Sequence, residues 1–165
     1  MPRLLLLRHA KAERARPGES DHERVLAERG RKEAAAVGRA LAERDERPDL
    51  VLCSTSVRTR QTWELARTAL RSEPEVRFAK KLFDAGGDYV GVLKQEGRGA
   101  ASLLLVGHNP AIQETAIRLA QNLASNDGTR LKEKFPPAAL AIFDLDGEWR
   151  DLAPGTARLA ALITQ

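Results

Sequence analysis

The chain has 165 residues, 42% of them hydrophobic and 30% charged, which is one domain's length with an ordinary composition for a globular protein. Its 27 Lys and Arg against 23 Asp and Glu leave a net charge of +4, which favours anions, but with aromatics at 4% it does not make a nucleic-acid surface. One cysteine, Cys53, excludes an internal disulfide framework and a Cys-rich zinc site, and no apolar run approaches the roughly 20 residues of a membrane span, so a cytoplasmic protein is expected.

Residues 3–7 carry Leu4-Leu5-Leu6-Leu7 and end in charge at Arg8-His9, the pattern of a short strand buried on both faces. Ala10 to Glu23 is polar, with Pro17, Gly18 and Ser20, and reads as a loop. Gly30 to Arg47 combines good helix formers with apolar Val37 and Leu41 and interleaved charge, so it reads as an amphipathic helix stopped by Pro48. Leu50 to Cys53 is a second buried strand. Ser54-Thr55-Ser56 offers N-caps for a helix from Val57 to Leu70. A third strand is expected at Val76 to Phe78, a Gly-rich turn at Asp84 to Asp88, and a helix at Tyr89 to Gln95.

Leu103 to Val106 is a fourth strand, ending in Gly107-His108-Asn109-Pro110, before a helix from Ala111 to Leu123. Asn126 to Pro137, with Lys132 and Lys134, reads as a loop. Ala139 to Leu145, Asp146-Gly147 and Trp149 to Leu152 read as a hairpin, because Asp-Gly is a strong turn pair. Ala157 to Ile163 adds a last strand. Strands alternating with helices predict an α/β fold: a three-layer α/β/α sandwich around a mostly parallel sheet, with antiparallel strands at one edge.

In such a sheet, ligands bind beyond the carboxyl ends of the strands. Strand one runs into Arg8-His9, strand two into Ser54-Thr55-Ser56-Val57-Arg58, and strand four into Gly107-His108. Two imidazoles and two guanidiniums converge there with no carboxylate in the same motifs. Guanidiniums repel a divalent cation and match phosphate oxygens, so the pattern favours a polyanionic ligand over a metal. The helix N-terminus after Ser54 adds free N–H donors.

These residues resemble the histidine phosphatase superfamily. Leu7-Arg8-His9-Ala10 is similar to its RHG signature, with Ala10 in place of the usual Gly. Ser54 to Thr62 is similar to its S-x-x-x-R-x-x-Q-T pattern, and Val106 to Pro110 to its third signature. Glu23 to Gly30 resembles the segment after the first loop in the small SixA-type phosphohistidine phosphatases. The resemblance implies a phosphoglycerate mutase-like fold and a single histidine phosphatase domain over residues 1–165. It implies His9 as the nucleophile, phosphorylated during turnover, with Arg8 and Arg58 clamping the phosphoryl oxygens. His108 would hydrogen-bond the same group, and Arg24 and Ser54 would lie on the substrate. No metal or cofactor is implied. The nearby guanidiniums should hold His9 neutral, with a depressed pKa.

The leaving group needs a proton. The candidate acids are Asp84 and Asp88 in the Gly-rich turn, with Glu28 and Asp21 as further carboxylates. None lies in a signature. A weak acid suits a phosphohistidine, whose imidazole leaves readily once protonated, better than a sugar phosphate. The expected substrate is therefore a phosphohistidine on a signalling phosphotransfer protein, met by a monomer. The alternatives are a phosphomonoesterase of small phosphate esters and a non-catalytic phosphate-binding partner protein. His22 reads as an exposed loop residue and Arg60 as a surface residue. Cys53, Trp63 and Trp149 read as packing residues.

Overall fold

In the computed structural model, which describes residues 1–165, Arg3–Arg8 forms strand β1. Its four leucines are fully buried, because successive side chains leave a strand on opposite faces and both faces here are covered. Leu4 and Leu6 enter one core layer, Leu5 and Leu7 the other. Each contributes about 2 kcal/mol of transfer free energy, so this one strand anchors both halves of the core.

The chain continues through helix α1 (Glu28–Glu43), strand β2 (Leu50–Ser54), helix α2 (Val57–Ala66) and strand β3 (Glu75–Ala79). Short helices α3 (Lys80–Phe83) and α4 (Val90–Glu96) lead to strand β4 (Ser102–Gly107). Helices α5 (Ala111–Leu119) and α6 (Asn126–Glu133) precede strands β5 (Leu140–Leu145) and β6 (Ala157–Ile163). The six strands form one sheet in the order β3-β2-β4-β1-β5-β6. β3, β2, β4 and β1 run parallel, and β5 and β6 add antiparallel strands at one edge. Ala34, Val37 and Leu41 of α1 and Trp63 of α2 cover one face. Leu82, Leu93, Ile112, Leu119 and Leu131, from α3 to α6, cover the other. The result is the expected three-layer α/β/α sandwich.

Because β1, β2 and β4 are parallel neighbours, their carboxyl ends meet on one rim. Arg8 pairs with Gly107 and Cys53 with Val106. The residues that follow all three strands are therefore brought together.

The structure corrects three sequence expectations. Helix α1 ends at Glu43, not at Pro48. Asp45 takes a left-handed conformation (φ 55°), and the Glu46 N–H reaches back to the Leu41 carbonyl, closing the helix before the proline. Asn126 to Pro137 is not a loop throughout: α6 fills its first part, capped by Ser125 Oγ, which accepts from the Gly128 N–H. The hairpin partner of β5 is β6 rather than Trp149 to Leu152. Trp149–Asp151 is instead a 3-10 turn whose indole is buried and donates to the Ala100 carbonyl.

The outer edge of β6 is closed by side chains. Asn122 accepts from the Leu159 N–H and donates to its carbonyl, while Asp127 and Arg130 do the same for Leu162. This satisfies backbone groups that an edge strand otherwise leaves open.

Helices α1 and α2 approach closely at Gly38. A methyl group there would lie 2.2 Å from the Ala66 carbonyl oxygen. Gly38→Ala should push α2 outward and lower stability by about 1–3 kcal/mol, read from the urea midpoint by circular dichroism. An unchanged midpoint would contradict this packing.

Candidate active site

His9 leaves β1 with its backbone held on both sides. Its N–H donates to the Gly107 carbonyl at 3.1 Å, and its carbonyl accepts from the Ala138 N–H at 3.0 Å. The ring is 8% exposed. Its Nδ1 lies 2.7 Å from the Ala10 carbonyl, which can only accept, so Nδ1 carries the proton and Nε2 keeps its lone pair. The Ala10 N–H donates in turn to Thr62 Oγ1 (3.0 Å), whose hydroxyl donates to the Arg58 carbonyl (2.7 Å). Ala10 fits where the family usually has Gly, fully buried.

Arg58 stands in the first turn of α2, which is capped by Ser56. It is 6% exposed. Nη1 donates to the Asp21 carbonyl (2.7 Å), and Nη2 donates to Asp21 Oδ2 (3.1 Å) and to His108 Nδ1 (3.4 Å). That last contact makes His108 Nδ1 an acceptor, so its proton sits on Nε2 and donates to Ser54 Oγ (2.7 Å). The His108 N–H donates to the Tyr89 hydroxyl, which donates to the Leu82 carbonyl. Gly107 lets the Tyr89 ring come this close, since a methyl group there would sit 2.8 Å from it. The His9 and His108 ring centres are 5.3 Å apart.

Arg8 is half-buried and donates from Nη1 to the Phe135 carbonyl (3.0 Å). Asn109 Nδ2 donates to the same carbonyl (2.9 Å). The Nε atoms of Arg8 and Arg58 are buried and donate to no protein acceptor. Buried guanidinium N–H groups without a partner are costly.

The four signature residues His9, Arg8, Arg58 and His108 therefore converge. Ser54 joins them through His108. Arg24 reaches the site through Asp21: it donates to Asp21 Oδ1 (2.9 Å) and to the Glu13 carbonyl (2.8 Å). The candidate acids do not join. Asp84 is exposed and pairs with Lys80 (3.2 Å). Asp88 caps α4 at the Val90 N–H (3.0 Å) and meets Arg118 (3.3 Å). Glu28 lies exposed beside Lys32. Asp21 is at the site, but Arg24 and Arg58 hold its carboxyl below the usual range, so it serves as a fixed anion.

Sequence reading missed two residues at the rim. His22 is partly buried rather than exposed, with Nε2 2.9 Å from Thr55 Oγ1. Phe83 packs edge-on against both the His22 and His108 rings. No periodicity marks these positions, because the loop and a four-residue helix that carry them are too short to show one. Cys53 stays in the core as expected, where burial pushes its thiol up to about 12. No three His, Cys, Asp or Glu side chains cluster as metal ligands.

Burial, and then the nearby His108, Arg58 and Arg8, pull His9 down to about 3 against the opposing Ala10 bond. Burial and Arg58 pull His108 down to about 4. Both groups stay neutral in the fold but protonate near 6.5 once unfolded, so stability falls as pH drops from there toward 4 and then 3. In an NMR titration of the free protein, both imidazoles should keep neutral chemical shifts from pH 8 down to about pH 5. A midpoint near 6.5 for either ring would contradict the burial argument.

The sequence profile of the histidine phosphatase superfamily (branch 1) matches residues 4–102. An uncharacterized Mycobacterium tuberculosis protein is 39% identical over 158 residues, spanning 93% of this chain and 96% of its own. A solved structure from Agrobacterium tumefaciens, provisionally named phosphohistidine phosphatase SixA, has a TM-score of 0.84 at 32% identity, covering 99% of this chain and 97% of that one. A second, from Nakamurella multipartitia and with the same provisional name, has a TM-score of 0.84 at 30% identity, covering 99% and 95%. The fold is shared also with the protein histidine phosphatase SixA complexed with tungstate (TM-score 0.77, 21% identity, coverage 98% and 96%). With its signatures gathered at one rim and matched by relatives along nearly its whole length, the chain belongs to the histidine phosphatase superfamily.

Proposed function

We propose that residues 1–165 act as one metal-independent phosphohistidine phosphatase domain. The observation that carries this reading is the orientation of His9: its proton is committed to the Ala10 carbonyl, leaving the Nε2 lone pair beside two guanidiniums. The SixA-named neighbours support the substrate class.

In this reading the phosphoryl group sits among Arg8, Arg58 and His108, and the guanidinium N–H groups take its oxygens. His9 Nε2 attacks phosphorus, and the imidazole of the substrate departs. Charge that develops on the equatorial oxygens is met by guanidiniums already in place, so little reorganisation is needed during the step. Water then attacks the phosphorus of phospho-His9, releasing phosphate and restoring the imidazole. Ser54 and Asp21 hold His108 and Arg58 in position. Arg24 acts through Asp21. Bound phosphate would raise the depressed imidazole pKa values by supplying the missing negative charge.

Asp84 and Asp88 make their contacts elsewhere, so a poorly leaving alkoxide would have no carboxylic acid to help it. That favours the P–N bond of a phosphohistidine over a sugar phosphate. The partner is then a phosphorylated phosphotransfer protein.

The test is turnover of a phosphohistidine-bearing phosphotransfer protein beside an aryl phosphate, with EDTA present. Wild type should clear the phosphohistidine much faster. His9→Ala should lose about 10⁴-fold or more in kcat, and Arg58→Ala about 10²–10³-fold. Asp84→Asn and Asp88→Asn should keep full rates. Turnover of the aryl ester alone would make the chain a general phosphomonoesterase. Phosphate binding with no turnover of either would make it a binding protein.

A further inference from the structure

If His9 attacks from the floor of the site, the leaving group points outward, toward the rim. The rim is built by His22, Thr55 and Phe83. His22 lies in the 3-10 turn Asp21–Glu23, next to the residue whose carbonyl and carboxylate both hold Arg58. Its ring stands edge-on to Phe83 (centres 4.8 Å apart, planes at 84°), and Phe83 stands edge-on to His108 (5.5 Å, 77°). The Arg58 guanidinium carbon lies 5.8 Å from the Phe83 ring centre. The three rings thus form a continuous wall beside the phosphate-clamping arginine. Thr55 Oγ1, 2.9 Å from His22 Nε2, fixes the ring's rotation. Thr55 is itself placed between Ser54, which holds His108, and Ser56, which caps α2.

We propose that His22 supplies the proton that lets the substrate's imidazole leave, an inference that rests on the phospho-His9 chemistry above. A phosphorylated imidazole departs as a neutral ring only when its second nitrogen, the one remote from phosphorus, gains a proton. That nitrogen projects toward the rim, not the floor. With its Nε2–H donating to Thr55, imidazolium His22 keeps Nδ1–H free to donate to it. The His9 Nε2–P bond forms as the substrate P–N bond breaks. The electron pair of the broken bond stays on the departing ring, whose remote nitrogen takes the His22 proton. Neutral His22 then accepts a proton from the water that attacks phospho-His9. The P–Nε2 bond breaks with its pair returning to His9, phosphate leaves, and His22 is again the imidazolium.

The charged and titratable groups around His22 are Asp21, Glu23 and Arg24 on its own segment. Arg58 comes from α2, His108 follows β4, and Lys80, Lys81 and Asp84 flank Phe83. Among them, Asp21, Arg24 and Arg58 are bound to one another, and His108 gives its proton to Ser54. Lys80 pairs with Asp84 and Lys81 with Glu96, which leaves His22 as the donor proposed beside Phe83.

Two small substrates separate a proton donor from a packing residue. N-phosphoimidazole needs a proton on its remote nitrogen. N-phospho-N′-methylimidazolium carries a methyl group there and leaves without one. His22→Gln, which can still meet Thr55, should lose about 10²-fold in kcat/KM on the first and about threefold or less on the second. Competitive inhibition by inorganic phosphate should be unchanged. Thr55→Val should show the same selectivity to a smaller degree, and serves if His22→Gln does not fold. Equal losses on both substrates, or no loss on either, would overturn the role of His22 while leaving the phospho-His9 reading intact. Failure of the wild type to turn over either substrate through His9 would overturn both.

Discussion

Two guanidiniums and two imidazoles share one small, largely buried space. Arg58 is within 3.4 Å of His108, and burial, then Arg58, push the Arg8 pKa down. Burying a charge without a counter-charge is expensive, and burying two of one sign beside each other is worse. The fold meets this in two ways. It keeps both imidazoles neutral, with His9 near 3 and His108 near 4, so that only the guanidiniums carry charge. It also gives them fixed acceptors, the Phe135 carbonyl for Arg8 and Asp21 for Arg58. What remains unanswered, the two buried Nε donors, is a demand that the fold carries at a cost in stability. The fully buried strands β1, β2 and β4 supply the stability against which this demand is held.

Protons in the site are positioned by partners that have no choice of role. The Ala10 carbonyl cannot donate, so His9 must present a lone pair at Nε2. The Arg58 guanidinium cannot accept, so His108 must present its proton to Ser54. Each tautomer follows from one partner, and each partner sits on a backbone segment held by the sheet or by α2. The His9 lone pair is thus fixed by geometry, which is how a site would avoid reorganising during the proposed reaction.

The strands, and the residues that follow them, were legible in the sequence because their signals are strong. A short apolar run ending abruptly in charge has few readings, and three such runs in a parallel sheet must deliver their ends to one rim. The failures were of other kinds. Helix α6 holds only two buried residues, Gly128 and Leu131, so its apolar stripe is too thin to distinguish from a polar loop. The Asp146-Gly147 pair sits just after β5, but the chain passes through a 3-10 turn before pairing back at Ala157. Asp21, His22 and Phe83 belong to the site through tertiary contacts alone. Asp84 and Asp88 looked suitable by composition, yet the turn that carries them commits both to local partners.

The Ser54 to Thr62 segment does more than present Arg58. Arg58 donates to the first loop at Asp21, to both its carbonyl and its carboxylate. Gln61 Oε1 takes the N–H of Leu26, near the end of that loop, and Thr62 Oγ1 takes the N–H of Ala10, at its start. One helix therefore grips the loop at its beginning, its middle and its end. The loop closes on itself as well: Ala27 donates to Lys11 and Glu13 to Val25, and Ala12 bridges Leu26. This explains why an arginine, a glutamine and a threonine occur together at spacings of three and one along a helix. The arginine reaches Asp21 and His108 at the rim, while the other two fix the loop that carries Asp21, His22 and Arg24. Loop and Arg58 are one mechanical unit, so in the proposed reaction the residues on the leaving-group side are positioned by the same helix that positions the arginine.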